Sequence, residues 1–257
     1  MNAMSYREAM AALGGAQKAA ARGAPAYSRF INRRLGRRLA ALAAVAGLTP
    51  NMVTAISAAF SAAGIAVLAL VPGGTAQGIV VSLLLLTGYA FDSADGQLAR
   101  LRGGGSPAGE WLDHVVDATK VSALPLGLFV GLERSGEVAS GWLAVPLTAT
   151  VVSAVLFFTM ILTEQLRRAH GAVPLAAAGG GPRSWVRSVL VLPTDYGVQC
   201  FVYVLLGVLP IFLVVYGAIV AATTVFLASA CVKWYRELRS LTPAPRAAAS
   251  GSVLPPG

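Results

Sequence analysis

The sequence predicts an all-α, polytopic membrane protein: six transmembrane helices preceded by an N-terminal amphipathic helix on the membrane surface. Three observations carry this. The 257-residue chain is 56% hydrophobic and only 12% charged, with a mean hydropathy of +0.69, too oily for a water-soluble fold. Its apolar runs reach the roughly 20 residues that cross a bilayer, and glycine, proline or arginine breaks separate them. Its basic residues gather at alternate breaks, as they do where loops stay on the cytoplasmic side.

Residues 1–26, rich in Ala, Gly, Lys and Arg, read as a flexible cytoplasmic lead, and the opening MNAMSYREAM lacks the apolar core of a signal peptide. Residues 27–46 interleave Arg29, Arg33, Arg34, Arg37 and Arg38 with Phe30, Ile31, Leu35, Leu39 and Leu42, the pattern of a juxtamembrane helix on an anionic surface. Gly47 to Asn51 break it, and Pro50 suits the first turn of the next helix. The membrane domain is expected over 47–241. Its first four spans are 52–71, 78–102, 107–132 and 138–165. From Val198 to Val232 the chain stays apolar for 35 residues, which would be about 52 Å as one helix, so two helices broken near Gly207 and Pro210 are expected, the fifth beginning between Val189 and Tyr196. Residues 242–257, rich in Pro, Ala and Ser, read as a disordered tail. Eighteen Lys/Arg fall on one side of this plan and only Arg134 on the other, with Lys120 inside the third span. Both termini are therefore expected in the cytoplasm, in a cell membrane, and the charge of +9 is assigned to topology and lipid or phosphate attraction, with no nucleic-acid partner. Cys200 and Cys231 lie in apolar segments and read as small buried hydrophobes.

The chemistry is concentrated in residues 92–117. Asp92, Asp95, Asp113 and Asp117 stand there with Gly96, Ala99, Arg100 and Gly109. Residues three or four apart share a helix face, so Asp92, Asp95 and Ala99 line one side of the second span, and Asp113 and Asp117 one side of the third. The Gly-Gly-Gly-Ser-Pro turn at 103–107 folds the two spans antiparallel. Asp92 then lies about 12 Å above the turn and Asp113 about 9 Å, so the four carboxylates meet near one membrane surface. Uncompensated anions there are costly, and four converging oxygens suit a hard divalent ion, Mg2+ or Mn2+. Such ions serve phosphoryl transfer by neutralising phosphate oxygens and fixing in-line geometry.

The spacing D-x2-D-G-x2-A-R-x8-G-x3-D-x3-D matches every position of the signature of the CDP-alcohol phosphotransferase (CDP-alcohol phosphatidyltransferase) family, which the chain resembles; 48–54, LTPNMVT, resembles that family's opening of the first span. The resemblance implies a dimeric six-helix membrane enzyme of phospholipid biosynthesis with a cytoplasm-facing site. It would move a substituted phosphate from a CDP-alcohol to an acceptor hydroxyl and release CMP. It implies two divalent ions held by Asp92, Asp95, Asp113 and Asp117, with Asp117 also the base, and CDP contacts from Pro50, Asn51, Val53, Gly96, Ala99, Arg100, Ser106 and Gly109. For the glycines alone, close helix packing explains the residues equally well.

The substrates are less determined. CDP-diacylglycerol is the favoured donor, because the Arg-Gly-Gly-Gly-Ser turn and basic surface helix resemble those of phosphatidylinositol-phosphate synthases. Yet 106–114, SPAGEWLDH, resembles the choline/ethanolamine phosphotransferases, whose acceptor is diacylglycerol, and a third branch joins polyols. Arg167, Arg168, Arg183 and Arg187 are candidates to grip a phosphorylated acceptor, with topology-setting charge the plainer reading of each. Lys120 is a candidate partner of a carboxylate or of an acceptor phosphate, and His114 a packed or hydrogen-bonding neighbour of Asp113. A prenyltransferase would need two distant acidic motifs, whereas these acids lie within 26 residues. A cation transporter would leave the glycines and Ala99-Arg100 without a task.

Overall fold

The computed structural model describes residues 4–15, 26–172 and 194–241, and all of its regular structure is helical. The expected lead is not loose throughout. Residues Tyr6–Gly15 form helix α1, with Ala9 and Leu13 buried against the helix that follows. Its start is tied by Ser5 Oγ, which donates to Glu8 Oε2 at 2.9 Å while the Ser5 amide donates to the same oxygen at 2.8 Å.

The amphipathic segment is a π-helical turn, Ser28–Asn32, running without interruption into α2, Arg33–Val45. The face it buries is made of small residues, which the alternation of Arg and apolar residues does not single out. Gly36, Ala40 and Ala41 are buried against the next membrane helices, while Phe30, Ile31, Leu35, Leu42 and Val45 stay exposed, a face suited to lipid. The small residues permit a close crossing: a Cβ on Gly36 would lie 2.6 Å from Ser93 Oγ.

Among the described residues, five helices are long and apolar enough to cross a membrane: α3 Pro50–Leu70, α4 Thr75–Leu101, α5 Pro107–Ser135, α6 Ser140–Ala169 and α8 Leu209–Arg239. The expected fifth span is shorter. It is α7, Tyr196–Val202, continued by a 3-10 turn over Tyr203–Gly207, and the break before α8 falls at Val208, between the predicted Gly207 and Pro210. Two helices start by the same device: Thr49 Oγ1 accepts from the Met52 amide at 3.2 Å, and Ser106 Oγ from the Gly109 amide at 3.0 Å, each followed by proline in the first turn. Gly103 and Gly104, with φ of 97° and 126°, make the turn from α4 to α5.

The spanning helices close a ring. α3 packs against both α4 and α5; from α5 the ring passes to α6, then α8, then α7 and its 3-10 turn, and back to α4. Glycines set the tightest contacts. A Cβ on Gly131 would lie 2.4 Å from the Leu68 carbonyl, and one on Gly88 2.7 Å from Ser61 Oγ, so α3 can approach both neighbours only because those positions are bare. At the far end Leu85, Leu128, Tyr203, Phe212 and Tyr216 form the core, with the Phe212 and Tyr216 rings stacked 5.5 Å apart.

One carboxylate fastens the surface helix to this ring. Asp195, 1% exposed, caps α7 by accepting from the Gly197 amide at 3.0 Å, and its other oxygen accepts from the Tyr27 and Ser28 amides at 2.9 and 3.2 Å. The Tyr27 ring fills the space that a side chain at Gly197 would need.

Candidate active site

Asp92 on α4 and Asp113 and Asp117 on α5 come together across the ring, each offering a carboxylate oxygen within 4.8 Å of the other two. The antiparallel turn at 103–107 produces this by bringing to one level two acid-bearing faces that are each specified by three- or four-residue spacing. Three hard oxygen donors at this spacing suit Mg2+ or Mn2+ and not a soft metal.

Asp95 does not join the three. One turn from Asp92 and rotated toward α3, its Oδ2 accepts from Thr54 Oγ1 at 2.6 Å and its Oδ1 from the Gly96 amide at 2.5 Å, and it is only 6% exposed. Three residues along a helix turn a side chain by about 60° short of a full circle, enough to face a different neighbour.

Lys120 sits among the acids. Its Nζ donates to Asp92 Oδ1 at 2.5 Å and reaches Asp117 Oδ1 at 2.6 Å, and the residue is buried at 5% exposure. An ammonium at that depth needs anionic partners, and two acids supply them. Of the two roles open to Lys120 in the sequence, the structure shows the pairing with carboxylates. His114 lies beside the group: Nδ1 is 3.8 Å from Asp113 Oδ2 and Nε2 is 3.8 Å from Glu110 Oε1, with the Phe157 ring edge-on.

The start of α3, the end of α4 and the start of α5 form a corner next to the acids. Asn51, in the first turn of α3, approaches α5: a Cβ on Gly109 would lie 3.3 Å from Asn51 Oδ1 and from Ser106 Oγ. On α4 the Arg100 guanidinium folds back toward Gly96, where a Cβ would meet only Arg100 Nη1, at 3.5 Å. Gly96 therefore differs from Gly88 and Gly131, because no neighbouring helix occupies the space beside it, whereas Gly109 faces two side-chain ends, one of them Asn51 of α3. Pro50, Ala99 and Ser106 lie at the same corner, in the first turn of α3, the last turn of α4 and the cap of α5. Val53 is the exception among the expected CDP contacts. Its side chain is fully buried in a cluster with Ala94, Leu98 and Ala40 and is not presented to the corner.

Two of the four arginines expected to grip an acceptor are engaged with carboxylates. Arg167 is buried in an ion pair with Glu237, and Arg168 binds Glu110 at 2.9 Å and Glu164 at 3.2 Å. Arg183 and Arg187 lie outside the described residues. Thr54 escaped the sequence reading, although it lies one turn beyond Asn51 on the same helix.

No curated protein matches the chain. Among solved structures, the phosphatidylinositol phosphate synthase of Mycobacterium tuberculosis with CDP-DAG bound is similar with a TM-score of 0.53 at 23% identity, over 82% of this chain and 94% of that one, a likeness of fold. The family model described as CDP-alcohol phosphatidyltransferase matches residues 47–232. Nearly the whole helical ring falls inside that match, and the protein belongs to the CDP-alcohol phosphatidyltransferase family, membrane transferases of phosphate-containing groups.

Proposed function

We propose that the protein moves a substituted phosphate from CDP-diacylglycerol, the favoured donor, to an acceptor hydroxyl, releasing CMP. The observation that carries this is the meeting of Asp92, Asp113 and Asp117 within 4.8 Å, beside a corner where Gly96 has only the Arg100 guanidinium near it and Gly109 only the side-chain ends of Asn51 and Ser106. Asp92, Asp113 and Asp117 would hold one Mg2+ or Mn2+, and Asp95 would contribute to a second. Bound there, the ions would neutralise the pyrophosphate oxygens and hold the phosphorus for in-line attack.

The chain's own groups do the rest. Asn51, Ala99, Ser106, Gly96 and Gly109 receive the CDP part, and Arg100 pairs with a phosphate oxygen. Lys120 keeps the carboxylates of Asp92 and Asp117 in place through its two contacts. A carboxylate oxygen of Asp117 takes the acceptor's hydroxyl proton as the new P–O bond forms. The bond from phosphorus to the CMP oxygen breaks, and CMP leaves. The site faces the cytoplasm, supported by the eighteen-to-one division of Lys and Arg, and membership of the family supports a homodimer as the working form.

The test is CMP formation by the purified protein from CDP-diacylglycerol with a panel of acceptors. Release should require both a divalent ion and an acceptor and should stop with chelation. Absence of metal-dependent CMP across donors and acceptors would refute the transferase reading.

A further inference from the structure

We propose that the acceptor is a lipid alcohol whose hydrocarbon chain lies in the cavity enclosed by the ring, so that its hydroxyl reaches Asp117 from inside the membrane. This rests on the transferase reading above and extends it to the acceptor's chemical class.

A cavity of about 450 Å³ begins at Asp92, Asp117 and Lys120 and continues between α5, α6 and α8. That volume lies within the roughly 300–1,000 Å³ of small-molecule sites. Beyond the acids its walls are mainly hydrocarbon and aromatic, with Leu124, Val152, Leu156, Phe157, Ile219 and Val220, and Ser153, Gln199 and Thr223 add a few polar groups among them. Pro125, which also lines it, is eight residues past Asp117, about 12 Å deeper along α5.

The acids divide this cavity from the polar corner. Asp117 and Asp92 line the cavity; Asp95, Asp113, Gly96 and Gly109 do not. A base must touch the hydroxyl it deprotonates, and Asp117 faces the cavity, so the acceptor approaches from that side while the nucleotide occupies the corner. Among the described lining residues Lys120 is the sole cation, and two carboxylates already hold it at 2.5 and 2.6 Å. Among the described residues, an acceptor phosphate placed against these walls would meet no cation besides this paired one. A methylene buried there would instead gain about fourfold in affinity.

The experiment uses the purified full-length protein in phosphatidylcholine nanodiscs with Mg2+, with CDP-diacylglycerol and CDP-choline tested separately as donors, and CMP as readout. Acceptors are dibutyrylglycerol, dioctanoylglycerol, phosphatidylglycerol, glycerol 3-phosphate and inositol 1-phosphate. We expect a lipid alcohol to exceed either polyol phosphate at least 100-fold in kcat/KM, with the eight-carbon diester better than the four-carbon one. The two lipid arms separate a neutral glyceride from a phospholipid hydroxyl. Ala149→Phe, which fills part of the cavity from α6, should lower kcat/KM for the eight-carbon acceptor at least 10-fold and spare the four-carbon one. Independently of that variant's folding, dioctanoylglycerol carrying a diazirine near its chain end should label wild-type peptides of α6 and α8, with unlabelled dioctanoylglycerol competing. Preference for a polyol phosphate, indifference to chain length, or labelling only outside those helices would overturn the proposal and leave the transferase reading standing. No CMP with any pair would overturn both.

Discussion

Helices α4 and α5 each carry glycines of two kinds. At Gly78 and Gly88 of α4, and at Gly127 and Gly131 of α5, an added Cβ would meet a neighbour at 2.4 to 2.9 Å. At Gly96 and Gly109, nearer the turn joining the helices, the nearest atoms stand at 3.5 and 3.3 Å and are side-chain ends of Arg100, Asn51 and Ser106. The first kind lets helices pack; the second faces only side-chain ends beside the carboxylates. The same residue therefore answers two demands along one helix, and what lies opposite tells them apart.

The widest separation between the two regions should come from Asp117→Asn. Turnover should fall by about 10²–10⁴, the usual share of a general base, with thermal stability kept and donor binding largely spared. Normal CMP formation in that variant would remove Asp117 from the role of base. Next is Gly131→Ala, which forces a methyl against the Leu68 carbonyl and should cost about 1–3 kcal/mol, seen as a lower Tm in detergent. An unchanged Tm would mean that α3 and α5 are not as tightly packed as described. Thr49→Ala removes the cap of α3 and should cost about 1 kcal/mol in stability; no loss would show that Pro50 alone holds that end. The smallest effect is also the sharpest contrast. Gly96→Ala should stabilise the folded protein by about 0.5–1 kcal/mol, because alanine suits a helix better, while raising the donor's KM. A variant that is stabilised and binds donor normally would make Gly96 an ordinary helical glycine.

Much of the fold was legible because it depends on short-range signals. Apolar run lengths, the Thr49-Pro50 and Ser106-Pro107 starts, and the glycine turn at 103–104 all act within a few residues, and the break between the last two helices falls where Gly207 and Pro210 suggested. The convergence of Asp92, Asp113 and Asp117 was readable for the same reason, since one turn relates the two helices. What escaped depends on distant pairs. Asp95 faces Thr54, 41 positions away, and spacing alone cannot say which neighbour a face meets. Asp195 binds the Tyr27 amide from 168 positions away, so its part in seating the surface helix had no local sign. Arg167 looked like free positive charge until α8 brought Glu237 to it. Helix α1 was hidden by composition, because its few apolar residues are meaningful only once α2 provides a surface to cover them.

The bond between Lys120 and its two acids has a practical side for anyone wanting an inert but intact copy of this protein. The ammonium is nearly sealed from solvent and shares its charge with Asp92 and Asp117. Neutralising one acid leaves it the other; neutralising both strands a cation in hydrocarbon, a loss that commonly reaches about 3–5 kcal/mol when a buried pair loses its partner. With Asp117 as the proposed base, an inactive protein for ligand capture is best sought by a single amide replacement there, whereas erasing the acids wholesale would be expected to yield a protein that fails to assemble, and its silence would say nothing about chemistry.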